Sequence, residues 1–162
     1  MFLLKSPLQL NITLRRFVSK WMPVIAWMLL IFAGSSDALS AEHTSRFIVP
    51  FLRWLDPAMS FQTIAAIHVA VRKIGHFTEY AILAALLWRA LRGTFSLANK
   101  ATLTVATFLV VAAFAVSDEF HQSFVATRTA SGHDVMIDWC GALVAVLLCA
   151  MLARPRTSQT VF

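Results

Sequence analysis

Of the 162 residues, 59% are hydrophobic and 14% charged, against roughly one-half and one-quarter in soluble domains. The apolar residues come in blocks, not in the one-faced or alternating patterns of a water-soluble fold. The formal charge of +6 therefore does not indicate a nucleic-acid ligand, since there is no soluble domain to carry a basic groove, and membrane lipids with anionic headgroups are the expected partners.

Residues 1–20 form a basic lead carrying Lys5, Arg15, Arg16 and Lys20, and the first apolar block is Trp21–Gly34. A basic start, a short apolar run and the small residues Ala38-Leu39-Ser40-Ala41 resemble a cleavable signal. The length of the lead and the aromatic pair Trp21 and Trp27 favour a retained anchor, with Pro23 accommodated in the first turn of the helix. Arg46 to Asp56 then places Phe47, Ile48, Phe51, Leu52, Trp54 and Leu55 on an amphipathic pattern expected to lie along the interface, ended by Pro57. From Ser60 helical spacing resumes through Phe61, Ile64, Ala65, His68 and Val71. A helix unbroken to Leu91 would extend ~48 Å, longer than the ~30 Å hydrocarbon core, so its first half is expected to sit outside the membrane or to break near Gly75.

The blocks at 74–91, 101–118 and 135–153 complete the count. Each approaches the ~20 residues that cross the core, and helices are the spanning elements because every backbone polar group must be paired within the segment. The expected fold is thus an all-α integral membrane protein, a single domain over residues 1–162, with a four-helix transmembrane bundle and an interfacial amphipathic segment between helices one and two. Cys140 and Cys149 lie in the last block at a spacing that points them to opposite sides of a helix, so they do not form a disulfide with each other.

Orientation follows from the basic residues, which short loops retain on the cytoplasmic side. With both termini inside, Lys5, Arg15, Arg16, Lys20, Arg89, Arg92, Lys100, Arg154 and Arg156 fall there. All eight acidic residues and all five histidines belong to the outer loops or outer helix ends.

Three polar runs at those outer ends can carry chemistry. Lys73-Ile-Gly-His76-Phe-Thr-Glu79-Tyr80 places His76, Glu79 and Tyr80 on a shared helical face. Ser117-Asp118-Glu119-Phe120-His121-Gln122 closes the third block, and Arg128, His133, Asp134 and Asp138 lead into the fourth. Short loops make successive helices antiparallel neighbours, which brings the runs together. Ionisable groups within a membrane cost ~2.5–3.5 kcal/mol each on insertion scales and so face protein or a polar cavity. Arg128 is the natural counter-ion for a carboxylate or an anionic ligand, while Asp134 and Asp138 fit either the site or a helix N-cap. His76, Glu79, Asp118 and His121 supply two histidines and two carboxylates able to hold a divalent metal ion, although the same side chains can satisfy one another. There is no phosphate loop, nucleotide fingerprint or nucleophile elbow.

Ser35-Ser36, Lys73-x-x-His76-Phe77-x-x-Tyr80 and Asp118-Glu119-x-His121-Gln122-x-Phe124, followed by Arg128, Asp134, Asp138 and Gly141, resemble the VanZ-like membrane protein family over most of the chain. The resemblance implies a bacterial inner (cytoplasmic) membrane protein, in a family named for an accessory glycopeptide-resistance protein associated with reduced teicoplanin sensitivity. It supplies no reaction. Gly141 is expected to permit close helix approach.

Three functions fit these features. In the first, an outer-face polar site binds or modifies an anionic, lipid-linked or cell-envelope molecule. Glu119, His121, His76 and Asp118 supply acid–base chemistry, and Arg128, Lys73, Tyr80, Gln122, Asp134 and Asp138 hold substrate. In the second, the same cluster only locks the helices of a scaffold or lipid-binding protein. The third, ion or lipid transport, lacks the paired half-helices or repeats of many transporters.

Overall fold

The computed structural model describes residues 7–36, 41–95, 99–125 and 130–154, with side chains described from residue 14 in the first stretch and from residue 45 in the second. Five helices make it up: α1 Pro7–Gly34, α2 Ala41–Leu55, α3 Phe61–Thr94, α4 Lys100–Gln122 and α5 Gly132–Leu152. No strand occurs among the described residues. The helix starts are written in the sequence as side-chain caps. Ser60 accepts the Thr63 N–H at α3, Asn99 the Thr102 N–H at α4, and Ser131 the His133 N–H at α5.

Among the described residues, three helices are long and apolar enough to cross a membrane: residues Leu14–Gly34 of α1, then α4, then α5. The sequence pattern leads one to expect four, and α3 is the exception. Its 34 residues interleave apolar positions with Arg72, Lys73, His76, Glu79 and Arg89, which dilutes its hydropathy. Nor does α3 break at Gly75; it runs unbroken for roughly 51 Å at ~1.5 Å per residue. Its length and polarity fit its place as the hub of the bundle, packed against each of the other four helices.

The core lies between α3 and its neighbours: Tyr80, Leu83, Ala84, Leu87 and Trp88 of α3 meet Val24 and Ile31 of α1, Leu103, Val111 and Ala115 of α4, and Ala142 and Val146 of α5. Leu29, Leu109 and Leu148 stand on the opposite faces, exposed as lipid-facing side chains are. At Gly141 the backbones nearly touch, and a Cβ there would lie 2.2 Å from the Phe77 carbonyl oxygen. The close approach expected of Gly141 is thus made between α5 and α3.

Several sequence boundaries shift. α1 begins at Pro7, so Pro23 sits in the helix interior and not in its first turn. The amphipathic segment forms α2, ending at Leu55; it turns Leu52 toward α3 and leaves Phe47, Phe51 and Trp54 exposed. The small-residue run at 38–40, the basic residue Lys5 and Arg156 lie outside the described residues, as does Arg128. Both cysteines are free.

Candidate functional site

One end of the bundle gathers the C-terminal ends of α1 and α4, the N-terminal half of α3 and the first two turns of α5. Three interactions tie α3 to its neighbours there, each from a side chain four residues after the last. Arg72 Nη2 pairs with Asp134 Oδ2 at 2.9 Å, His76 Nδ1 with Asp138 Oδ1 at 3.1 Å, and Tyr80 Oη donates to Asp118 Oδ2 at 3.2 Å. Arg72, His76 and Tyr80 therefore form one stripe, as the helical period dictates.

Asp118 is the centre of the second layer. Besides Tyr80, its Oδ2 accepts from Ser35 Oγ at 2.7 Å and Gln122 Nε2 at 3.1 Å, and Gln122 also donates to Ser35 Oγ at 3.3 Å. One carboxylate oxygen thus collects α1, α3 and α4. Beside it, Glu119 Oε1 accepts the backbone N–H of Ser131, the N-cap of α5, where a carboxylate also complements the helix dipole. The His121 ring lies against Phe32, with centroids 4.1 Å apart.

All these carboxylates are buried, Asp118 to 2% exposure and Asp138 to 1%, where an unpaired charge would be costly. Most are therefore paired. The exceptions cluster on the last turn of α4: Asp118 Oδ1, Glu119 Oε2, His121 Nδ1 and Gln122 Oε1 are buried with no hydrogen-bond partner among the described residues, as is Arg72 Nε. Ionised, the two carboxylate oxygens can only accept a hydrogen, as can the amide oxygen. In the His76–Asp138 pair, Nδ1–H donation to the carboxylate leaves Nε2 as the basic nitrogen, an arrangement suited to a general base or to a simple inter-helix tie.

The sequence candidates divide on this geometry. His76, Tyr80, Asp118, Gln122, Asp134 and Asp138 are brought into direct contacts among themselves or with neighbours. His76 and Tyr80 turn to different helices, His76 to α5 and Tyr80 to α4, while the Glu79 backbone carbonyl accepts from Trp27 Nε1 at 2.9 Å. Lys73 is exposed, and its neighbour Arg72 makes the acidic contact. Neither aspartate caps α5, since Ser131 does so. Of the proposed metal ligands His76, Glu79, Asp118 and His121, His76 pairs with Asp138, Asp118 accepts from Ser35, Tyr80 and Gln122, and the His121 ring lies on Phe32, and no group of three or more His, Cys, Asp or Glu able to hold a metal ion is found among the described residues. Arg72 and Ser35 are members of the polar cluster that side-chain chemistry alone did not single out. The signal for Arg72 was its four-residue spacing from His76 and Tyr80.

The molecule is an all-helical membrane protein whose buried polar cluster joins four of its helices at one end. The VanZ/LLP1 family model matches residues 20–153, most of the chain, and the protein belongs to that family. Neither the curated proteins nor the solved structures contain a match.

Proposed function

We propose that the polar end is a binding site on the outer face of a bacterial inner membrane, and that it takes or modifies the headgroup of a lipid-linked or cell-envelope molecule. The observation that carries this reading is the set of four buried polar atoms on the last turn of α4 that find no hydrogen-bond partner among the described residues, beside a network otherwise paired except at Arg72 Nε. A cluster serving only to join helices gains nothing from leaving them unsatisfied, because each costs about 1–3 kcal/mol. Their acceptor character fits a ligand rich in hydroxyl or amide donors, such as the sugar or peptide part of an envelope precursor. Arg128 supplies the counter-charge for an anionic group, and the His76–Asp138 pair is placed to act as a base.

In this reading α3 crosses the membrane over residues 74–91, which makes four crossings with both termini cytoplasmic. Its central position supports this, since His76 and Tyr80 within that span face the other helices, as does Arg72 before it. The exposed Phe47, Phe51 and Trp54 suit α2 to the membrane interface.

Glu119→Gln and His121→Gln test the site. In Glu119→Gln the side chain retains an oxygen for the Ser131 N–H but presents an amide donor where an acceptor stood. Both variants are expected to keep the melting temperature within about 2 °C while losing a co-purifying envelope lipid in native mass spectra and any teicoplanin tolerance conferred on a sensitive host. A second reading, that the cluster is a clasp in a non-enzymatic lipid-binding protein, is favoured by the three hydrogen bonds converging on Asp118 Oδ2. Loss of phenotype in strict proportion to loss of stability would establish the clasp instead.

A further inference from the structure

At the opposite end of the bundle, α3 and α5 part to leave a groove of about 610 Å³, within the ~300–1,000 Å³ of small-molecule sites. Its walls divide by chemistry. Ala85, Trp88, Cys149 and Leu152 make the apolar part, and Arg89 and Arg92 add positive charge. The α3 members repeat at helical spacing, as do those of α5, so the groove runs along both helices toward their basic ends.

The charge at this end is of one sign. No Asp or Glu occurs in residues 1–36, 80–117 or 139–162 of the sequence, and the described residues of this end fall within those stretches. Arg92 is held in position, its guanidinium 5.2 Å from the Trp88 ring centroid and its Nη2 donating to the Arg154 carbonyl at 2.7 Å. Arg89 is exposed. The indole N–H of Trp88, a residue 5% exposed, is buried with no hydrogen-bond partner among the described residues. Nearby, Lys20 Nζ donates to the Gly93 carbonyl and adds a further positive charge.

We infer that this groove is a binding site for an anionic phospholipid, its phosphate between Arg89 and Arg92 and an acyl chain along Ala85, Cys149 and Leu152. An apolar trough with a cationic mouth matches an amphiphile with an anionic head. A soluble anion would leave the trough wet, and an uncharged lipid would leave the positive charge of this end unbalanced. Basic pockets between transmembrane helices bind anionic headgroups for the same reason. The site lies at the far end of the bundle from the polar cluster and does not depend on the cluster's role.

The test titrates the purified full-length protein, in mild detergent, with phosphatidylglycerol and phosphatidylcholine while native mass spectrometry counts bound lipid. The wild type is expected to prefer phosphatidylglycerol. Arg89→Gln should weaken that lipid about fivefold, and Arg89→Gln with Arg92→Gln about thirty-fold, from the contribution of a basic residue near an anionic lipid. Lys100→Gln removes a charge from the same end outside the groove and should change binding less than about twofold. Since Arg92 also holds Arg154, the single Arg89→Gln variant decides the matter should the double variant fail to fold. Unchanged binding in Arg89→Gln, or an equal loss in Lys100→Gln, overturns the proposal. Displacement of the lipid by millimolar inorganic phosphate would show a free-anion site and also overturn it.

Discussion

Gly141→Ala should be among the most damaging one-carbon changes in the protein, and its effect can be worked from the α3–α5 contact. The added Cβ would lie 2.2 Å from the Phe77 carbonyl oxygen, 3.0 Å from its carbon and 3.2 Å from its Cα. These are backbone atoms, so relief requires α5 to move away by about 1 Å, an overpacking cost of ~1–3 kcal/mol. The contact adjoins the His76–Asp138 pair, which at 3.1 Å would lengthen beyond hydrogen-bonding range and leave two buried polar groups unpaired, adding ~1–3 kcal/mol. Replacing a helical glycine by alanine returns up to ~1 kcal/mol through helix propensity. The net loss is therefore about 1–6 kcal/mol, or a melting temperature lower by roughly 3–18 °C at ~3 °C per kcal/mol, measured by circular dichroism in detergent. Gly75→Ala is the matched control, because a Cβ there meets nothing within 4 Å; it should be neutral or stabilising by up to ~1 kcal/mol. Equal melting temperatures for Gly141→Ala and wild type would refute the packing argument.

The Arg72–Asp134 pair yields a second comparison. Arg72→Ala leaves Asp134 buried without its partner and should cost about 1–2 kcal/mol in the same thermal assay, discounted from a fully buried pair because the Arg72 side chain is 27% exposed. Lys73→Ala should fall within ~0.5 kcal/mol of wild type, and the reverse ranking would contradict the observed pairing. Membrane topology is tested with single cysteines at Gln62 and Lys100 in a background lacking Cys140 and Cys149. A membrane-impermeant maleimide applied to intact cells is expected to label position 62 and not position 100, whereas labelling of both would mean that α3 does not cross.

Much of this architecture was legible along the chain. The apolar blocks of α4 and α5 announce themselves, because a lipid-facing helix carries its signal in local composition. Ser60, Asn99 and Ser131 mark helix starts by a bond that spans only two or three residues. The absence of Asp and Glu from residues 1–36, 80–117 and 139–162 is likewise a one-dimensional fact, and it pointed to the polar cluster before any contact was known. The amphipathic run over α2 was read correctly in kind, though its start lay five residues earlier.

Pairing was not legible. Whether His76 meets Glu79 in its own helix or Asp138 in another, and whether Arg72 or Lys73 faces inward, depends on the rotation of α3 against α5. That rotation is set by packing around Gly141, not by spacing within either segment. Asp134 and Asp138 satisfy the local rule for a cap, but Ser131 takes the cap and the aspartates turn to α3. From sequence alone came the polar end, its acidic character and the family resemblance, since each resides in residue identity and order. Tertiary structure alone decided that α3 is the unbroken hub, that Ser35 and Arg72 join the cluster, and that four polar atoms on α4 find no partner among the described residues. Contacts between helices distant in sequence have no signature in a single chain's periodicity.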